Sequence, residues 1–151
     1  MSTKGELAKQ YFSEGYNCSQ AVLLAFAENF GIDKKTAVMI SSGFGGGMGR
    51  MREVCGAVSG MFMVIGLKYG YDDPKNFEVK KELYKKIQEL AEEFKKENGS
   101  IICRELLGLS EKEKNTPTPE KRTAEYYKKR PCGELVKFAA DLTDDFIKKQ
   151  K

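Results

Sequence analysis

The 151-residue sequence contains no histidine. Its absence removes the usual general base, any Cys–His catalytic dyad, haem ligation through imidazole and every zinc site that mixes cysteine with histidine. Long apolar runs are missing as well. The longest, Ala57 to Leu67, covers about half of the roughly 20 residues needed to cross a bilayer, and glycines interrupt it, so no membrane insertion is expected. The opening MSTKGELAKQYF lacks the apolar segment and small-residue cleavage site of a secretory signal, which predicts a cytoplasmic protein. Strand-like alternation of apolar and polar residues is absent, and so are internal repeats. Charge of one sign does not dominate: 26 Lys and Arg face 22 Asp and Glu, leaving a net +4. The lysines share helix faces with glutamates, the pattern of a solvated surface, and no nucleic-acid partner is expected.

What is present reads as one all-α domain over 1–151, a compact bundle of about five to seven helices with a glycine-rich loop. A first helix covers about Thr3 to Glu14 and stops at Gly15. A second starts after Asn17 as its cap and runs through AVLLAFAENF to Gly31, with an apolar face wide enough to make it central. Asp33 caps a third, KKTAVMISS. A fourth runs from Val54 to about Tyr69. The safest is Asp73 to Asn98, with Leu83, Ile87, Leu90, Ala91 and Phe94 on one stripe and Gly99 past its end. A short turn, IICRELLG, precedes the polar connection SEKEKNTPTPE, whose prolines forbid a continuous helix. A short helix spans Lys121 to Lys129. The last begins at Pro131 and carries Leu135, Phe138, Ala139, Leu142 and Phe146 at core spacing.

Two features stand apart from this helical pattern. The first is GFGGGMGRMREVCGAVSG, which sets five glycines among the seven residues Gly43 to Gly49. Ordering glycine costs entropy, so such a cluster implies a close approach of the backbone to something. A phosphate cradle is one reading, but the loop fails GxGxxG in every register and lacks the Gly-Lys-Ser/Thr of a P-loop. The second feature is the four cysteines. Cys18 follows the cap Asn17, Cys103 lies three residues after a candidate cap, Ser100, Cys132 follows Pro131, and Cys55 sits within about a turn of the glycine loop. Unpaired amides at a helix start stabilise a thiolate and lower its pKa. Arginines gather here too: Arg50 and Arg52 precede Cys55, Arg104 follows Cys103, Arg130 precedes Cys132, and Arg122 alone is remote in sequence. This arrangement suits a site that collects negative charge. The plain alternative is that the four are small buried hydrophobes. Met48, Met51, Met61 and Met63 suit the core first, and otherwise a cluster pocket or the contact of a homodimer.

The order Cys18, then Cys55-Gly56-Ala57-Val58-Ser59-Gly60, then Cys103 and Cys132 resembles a family of small helical proteins described as redox-active and named for this cysteine pattern with its CGAxxG motif. The likeness runs through YNCSQAVL, GFGGGMGRMREVCGAVSG, GLKYG, CRELLG and RPCGELV. A similar domain stands beside haem in some cytochromes that also carry iron–sulfur centres, although this chain has no CxxCH. Two chemistries suit the redox role that the resemblance implies. In one, Cys18, Cys55, Cys103 and Cys132 are metal ligands of an iron–sulfur cluster such as [2Fe–2S], with Gly45, Gly46, Gly47, Arg50 and Arg52 against the cofactor. Structural zinc on the same thiolates is a lesser variant, since paired C-x(2–4)-C knuckles are missing. In the other, no cofactor is needed and two of the thiols cycle through a disulfide, meeting through the fold because no CxxC exists. A non-catalytic module that senses metal or oxidant is a third class. The electron-transfer readings expect a redox partner protein, and the sequence leaves open whether the chain is an enzyme.

Overall fold

The structure, a computed structural model, describes residues 3–109, 116–129 and 131–150. These residues form eight α-helices: α1 (Lys4–Ser13), α2 (Cys18–Ala27), α3 (Lys34–Ser41), α4 (Gly56–Tyr69), α5 (Phe77–Asn98), α6 (Cys103–Leu106), α7 (Ala124–Lys129) and α8 (Cys132–Lys149). No strand forms among them, and a single antiparallel bridge joins Val54 to Ile102. The fold is all-α, as the periodicity predicts.

Caps explain most of the boundaries. Asn17 accepts the amide of Gln20 while the Gln20 side chain accepts the amide of Asn17, a reciprocal capping box that starts α2. Asp33 accepts from Thr36 to start α3. The start of α5 falls later than Asp73, because Asp73 closes a turn by accepting from the Lys75 amide and Asn76 becomes the cap. Ser100 is not the cap of α6: its hydroxyl accepts from the Ile102 amide and donates to Glu105, and Ile102 takes the cap position without a side-chain bond. Cys103 is therefore the first residue of that helix.

Helix α2 is the centre of the molecule. Ser19 and every residue from Ala21 to Ala27 are buried, and α1, α3, α4 and α8 pack around it. Gly60 lets α4 lie against it closely, since a Cβ there would stand 2.9 Å from the Ser19 carbonyl oxygen and from the Val22 Cβ. Phe94, Leu23, Met61, Ile65 and Leu90 are the largest fully buried side chains. Met61 thus belongs to the core and Met48 and Met63 are half-buried, whereas Met51 is 55% exposed. The amide of Gly5, in the first turn of α1, donates to Asp141 Oδ1 on α8 at 2.7 Å and fixes how those two helices meet. No helix among the described residues is long and apolar enough to cross a membrane.

Candidate functional site

Each cysteine stands at a helix start. Cys18, Cys103 and Cys132 are the first residues of α2, α6 and α8, and Cys55 is the cap residue of α4. All four line one cavity of about 450 Å³, and none is in a disulfide. Two of the segments are tied directly: the Cys55 amide donates to the Ile101 carbonyl at 2.8 Å and the Cys103 amide to the Glu53 carbonyl at 2.6 Å, on either side of the Val54–Ile102 bridge. Of the other three cysteines, Cys132 has the strongest influence on the Cys18 thiol.

The glycine loop forms another wall. Gly46, Gly47, Met48, Gly49 and Arg50 are five consecutive residues with φ between 60° and 75°, and Arg52 follows at 62°. The loop is a left-handed coil, closed by amide bonds from Arg50 to Gly45, Arg52 to Gly46 and Glu53 to Gly47 at 3.3, 3.3 and 2.9 Å. The left-handed conformation costs a side-chain-bearing residue about 1–2 kcal/mol, and Met48, Arg50 and Arg52 all bear it. Glycine at 47 has a second reason. A Cβ there would lie 2.6 Å from Cys103 Cβ and 2.8 Å from Arg52 Cα, so the bare backbone is what lets the loop close on Cys103. Gly45 meets Asn17 in the same way, and Asn17 Nδ2 donates to the Ser42 carbonyl, which seats the loop on the start of α2.

Electrostatics run against the expectation of acidic thiols. The side chain of Cys132, burial, and the nearby Cys55 and Cys103 together raise Cys18 well above the ordinary thiol value. Burial pushes Cys55 up to about 12, although the amides of Val58 and Ala57 at the start of α4 pull the other way. The helix-start effect is present at Cys55 and is outweighed by desolvation and by the gathering of like-charging groups.

The cavity also brings together Gly45, Gly46, Gly47, Arg50 and Arg52. Arg52 Nη1 donates to Cys103 Sγ at 3.7 Å. Arg50 reaches the other way, donating to the carbonyls of Thr116 and Thr118 and pairing with Glu120, which ties residues 116–120 to the site. Arg122, remote from every cysteine in sequence, lines the same cavity: its guanidinium lies 4.4 Å from the Phe12 ring centroid and donates to the carbonyls of Phe12 and Tyr16. Nothing in the sequence signals this, because Arg122 reaches the site through contacts with Phe12 and Tyr16, more than a hundred residues away along the chain. Arg104 lies outside the cavity lining, and Arg130 is outside the described residues. Among the described residues, no three Cys, Asp or Glu side chains stand at the spacing of ligands to one metal ion.

Over residues 16–146 the chain matches the family described as "Putative redox-active protein (C_GCAxxG_C_C)". The chain belongs to this family. The matched span encloses the four cysteines and the glycine loop that line the cavity, and where the family's printed pattern has Gly-Cys-Ala this chain reads Cys55-Gly56-Ala57, followed by Val58-Ser59-Gly60. No curated protein and no solved structure matches it.

Proposed function

We propose that the protein is an electron-transfer protein in which Cys18, Cys55, Cys103 and Cys132 hold an iron–sulfur cluster. The observation that carries this reading is that four thiols from four separate helix starts line one cavity. The donor chemistry fits: four thiols and no imidazole are the set that such clusters use. Burial and the nearness of the other thiols oppose ionisation of Cys18 and Cys55, a cost that a bound metal would offset. When bound, the cluster supplies reversible one-electron transfer to and from a partner protein.

The chain's own residues have definite tasks in this reading. Four helix starts bring the thiolates to the metal. Gly47 admits the loop backbone beside Cys103, and Arg52 donates a hydrogen bond to the Cys103 sulfur, a contact of the kind that raises a cluster's potential. The strong mutual influence of Cys18 and Cys132, which line the same cavity, favours a second reading in which these two thiols are oxidised to a disulfide with release of two electrons and two protons.

Anaerobic purification followed by a visible spectrum and iron and acid-labile sulfide assays tests the proposal. The cluster reading expects bands that bleach with dithionite, matched iron and sulfide, and loss of colour when any one of the four cysteines becomes alanine. Colourless, iron-free protein in which a mild disulfide oxidant joins the Cys18 and Cys132 peptides would replace it with the dithiol reading.

A further inference from the structure

The cavity offers more than sulfur ligands. Its volume of about 450 Å³ lies in the range of small-molecule pockets, and Leu106 and Leu107, one turn on from Cys103, and Leu135, one turn on from Cys132, add apolar side chains to its lining. Three guanidinium groups, Arg50, Arg52 and Arg122, line it against the carboxylate of Glu120. Their engagements differ. Arg50 binds the connection and pairs with Glu120, and Arg122 is spent on two backbone carbonyls and the face of Phe12. Arg52 has Cys103 Sγ as its one hydrogen-bond acceptor among the described residues, and a guanidinium carries five donors. Its backbone is also held at a φ of 62°, which glycine adopts at lower cost. Backbone strain kept at a residue whose side chain lines a cavity points to a use for that side chain.

We propose that this cavity binds a small monocarboxylate, its carboxylate paired with Arg52 and its short hydrocarbon body against the leucines. The geometry sets the class. A guanidinium fork matches one carboxylate, the leucines match an apolar body, and Glu120 together with the sulfurs opposes a second negative charge. The ligand would share this cavity with whatever the cysteines hold, so titration before and after metal stripping separates the failure of this inference from that of the cluster reading.

The test is calorimetric titration of the full chain, as purified without oxygen and again after metal stripping, with benzoate, benzamide and inorganic phosphate. Benzoate is expected to bind at least about tenfold more tightly than either of the others, since a charge-assisted hydrogen bond is at stake. Arg52→Gln keeps the same backbone demand, and it should weaken benzoate by about tenfold or more, with Arg52→Lys weakening it less. Benzoate should also shift the Arg52 side-chain N–H resonance of the unaltered protein, a readout that survives if a variant folds poorly. Equal binding of benzamide, tighter binding of phosphate, full benzoate affinity in Arg52→Gln, or no heat and no Arg52 shift at millimolar benzoate would each overturn the proposal.

Discussion

Replacing Gly47 by alanine tests why the loop is built from glycine. Two costs are expected. The φ of 75° is a left-handed conformation, worth about 1–2 kcal/mol against a residue with a Cβ. The added methyl would also stand 2.6 Å from Cys103 Cβ, 2.8 Å from Arg52 Cα and 2.9 Å from the Glu53 nitrogen. These are backbone or near-backbone atoms that cannot swing aside, and such overpacking costs about 1–3 kcal/mol. The sum, about 2–5 kcal/mol, is a large part of a small domain's stability. Gly31→Ala is the control: its φ is 68°, but a Cβ there meets nothing within 4 Å, so it carries the strain without the crowding. Losing a glycine's freedom in the unfolded chain is common to both and cancels. Urea unfolding of the metal-free, reduced protein should therefore place Gly47→Ala below Gly31→Ala by about 1–3 kcal/mol. Equal losses would refute the idea that this glycine is there for the approach to Cys103.

Alkaline pH should destabilise the metal-free protein. Cys55 is held at about 12 in the folded chain, above the ordinary thiol value near 8.5, so the unfolded chain loses its proton first. The stability that this thiol contributes is fully present below pH 8.5 and is lost as pH rises toward 12, about 2 kcal/mol of it by pH 10. Cys18 acts in the same direction. Unfolding free energies from pH 7 to 10 should fall less steeply in Cys55→Ala, and an unchanged slope would contradict the burial argument. At Arg122, alanine removes the stack on Phe12 and two bonds to backbone carbonyls, and a loss of about 2 kcal/mol is expected in urea unfolding. Lysine should not restore it, because the planar fork makes both contacts at once.

Much of this protein is readable along the chain. Helix faces show in the stripe of Leu83, Ile87, Leu90 and Phe94, and starts show in Asn17 and Asp33, because capping and periodicity are local interactions spanning three or four residues. The glycine loop announces an unusual backbone for the same reason. Local rules, however, assign Ser100 as a cap when its hydroxyl is engaged with Ile102 and Glu105, and they do not foresee Met48, Arg50 and Arg52 in the left-handed region. That conformation is imposed by where the loop must go.

The sequence by itself determined the helices and the place of each cysteine at or beside a helix start. Only the tertiary structure decided that the four starts share one cavity, that Arg122 joins them, and that Cys18 and Cys55 are harder to ionise rather than easier. The physical reason is range. A helix start acts on the residue at its own end, whereas desolvation and repulsion between thiols depend on which ends packing brings together. That packing is set by α2 burying Ser19 and Ala21 to Ala27 among α1, α3, α4 and α8, a requirement that no single segment of the chain carries.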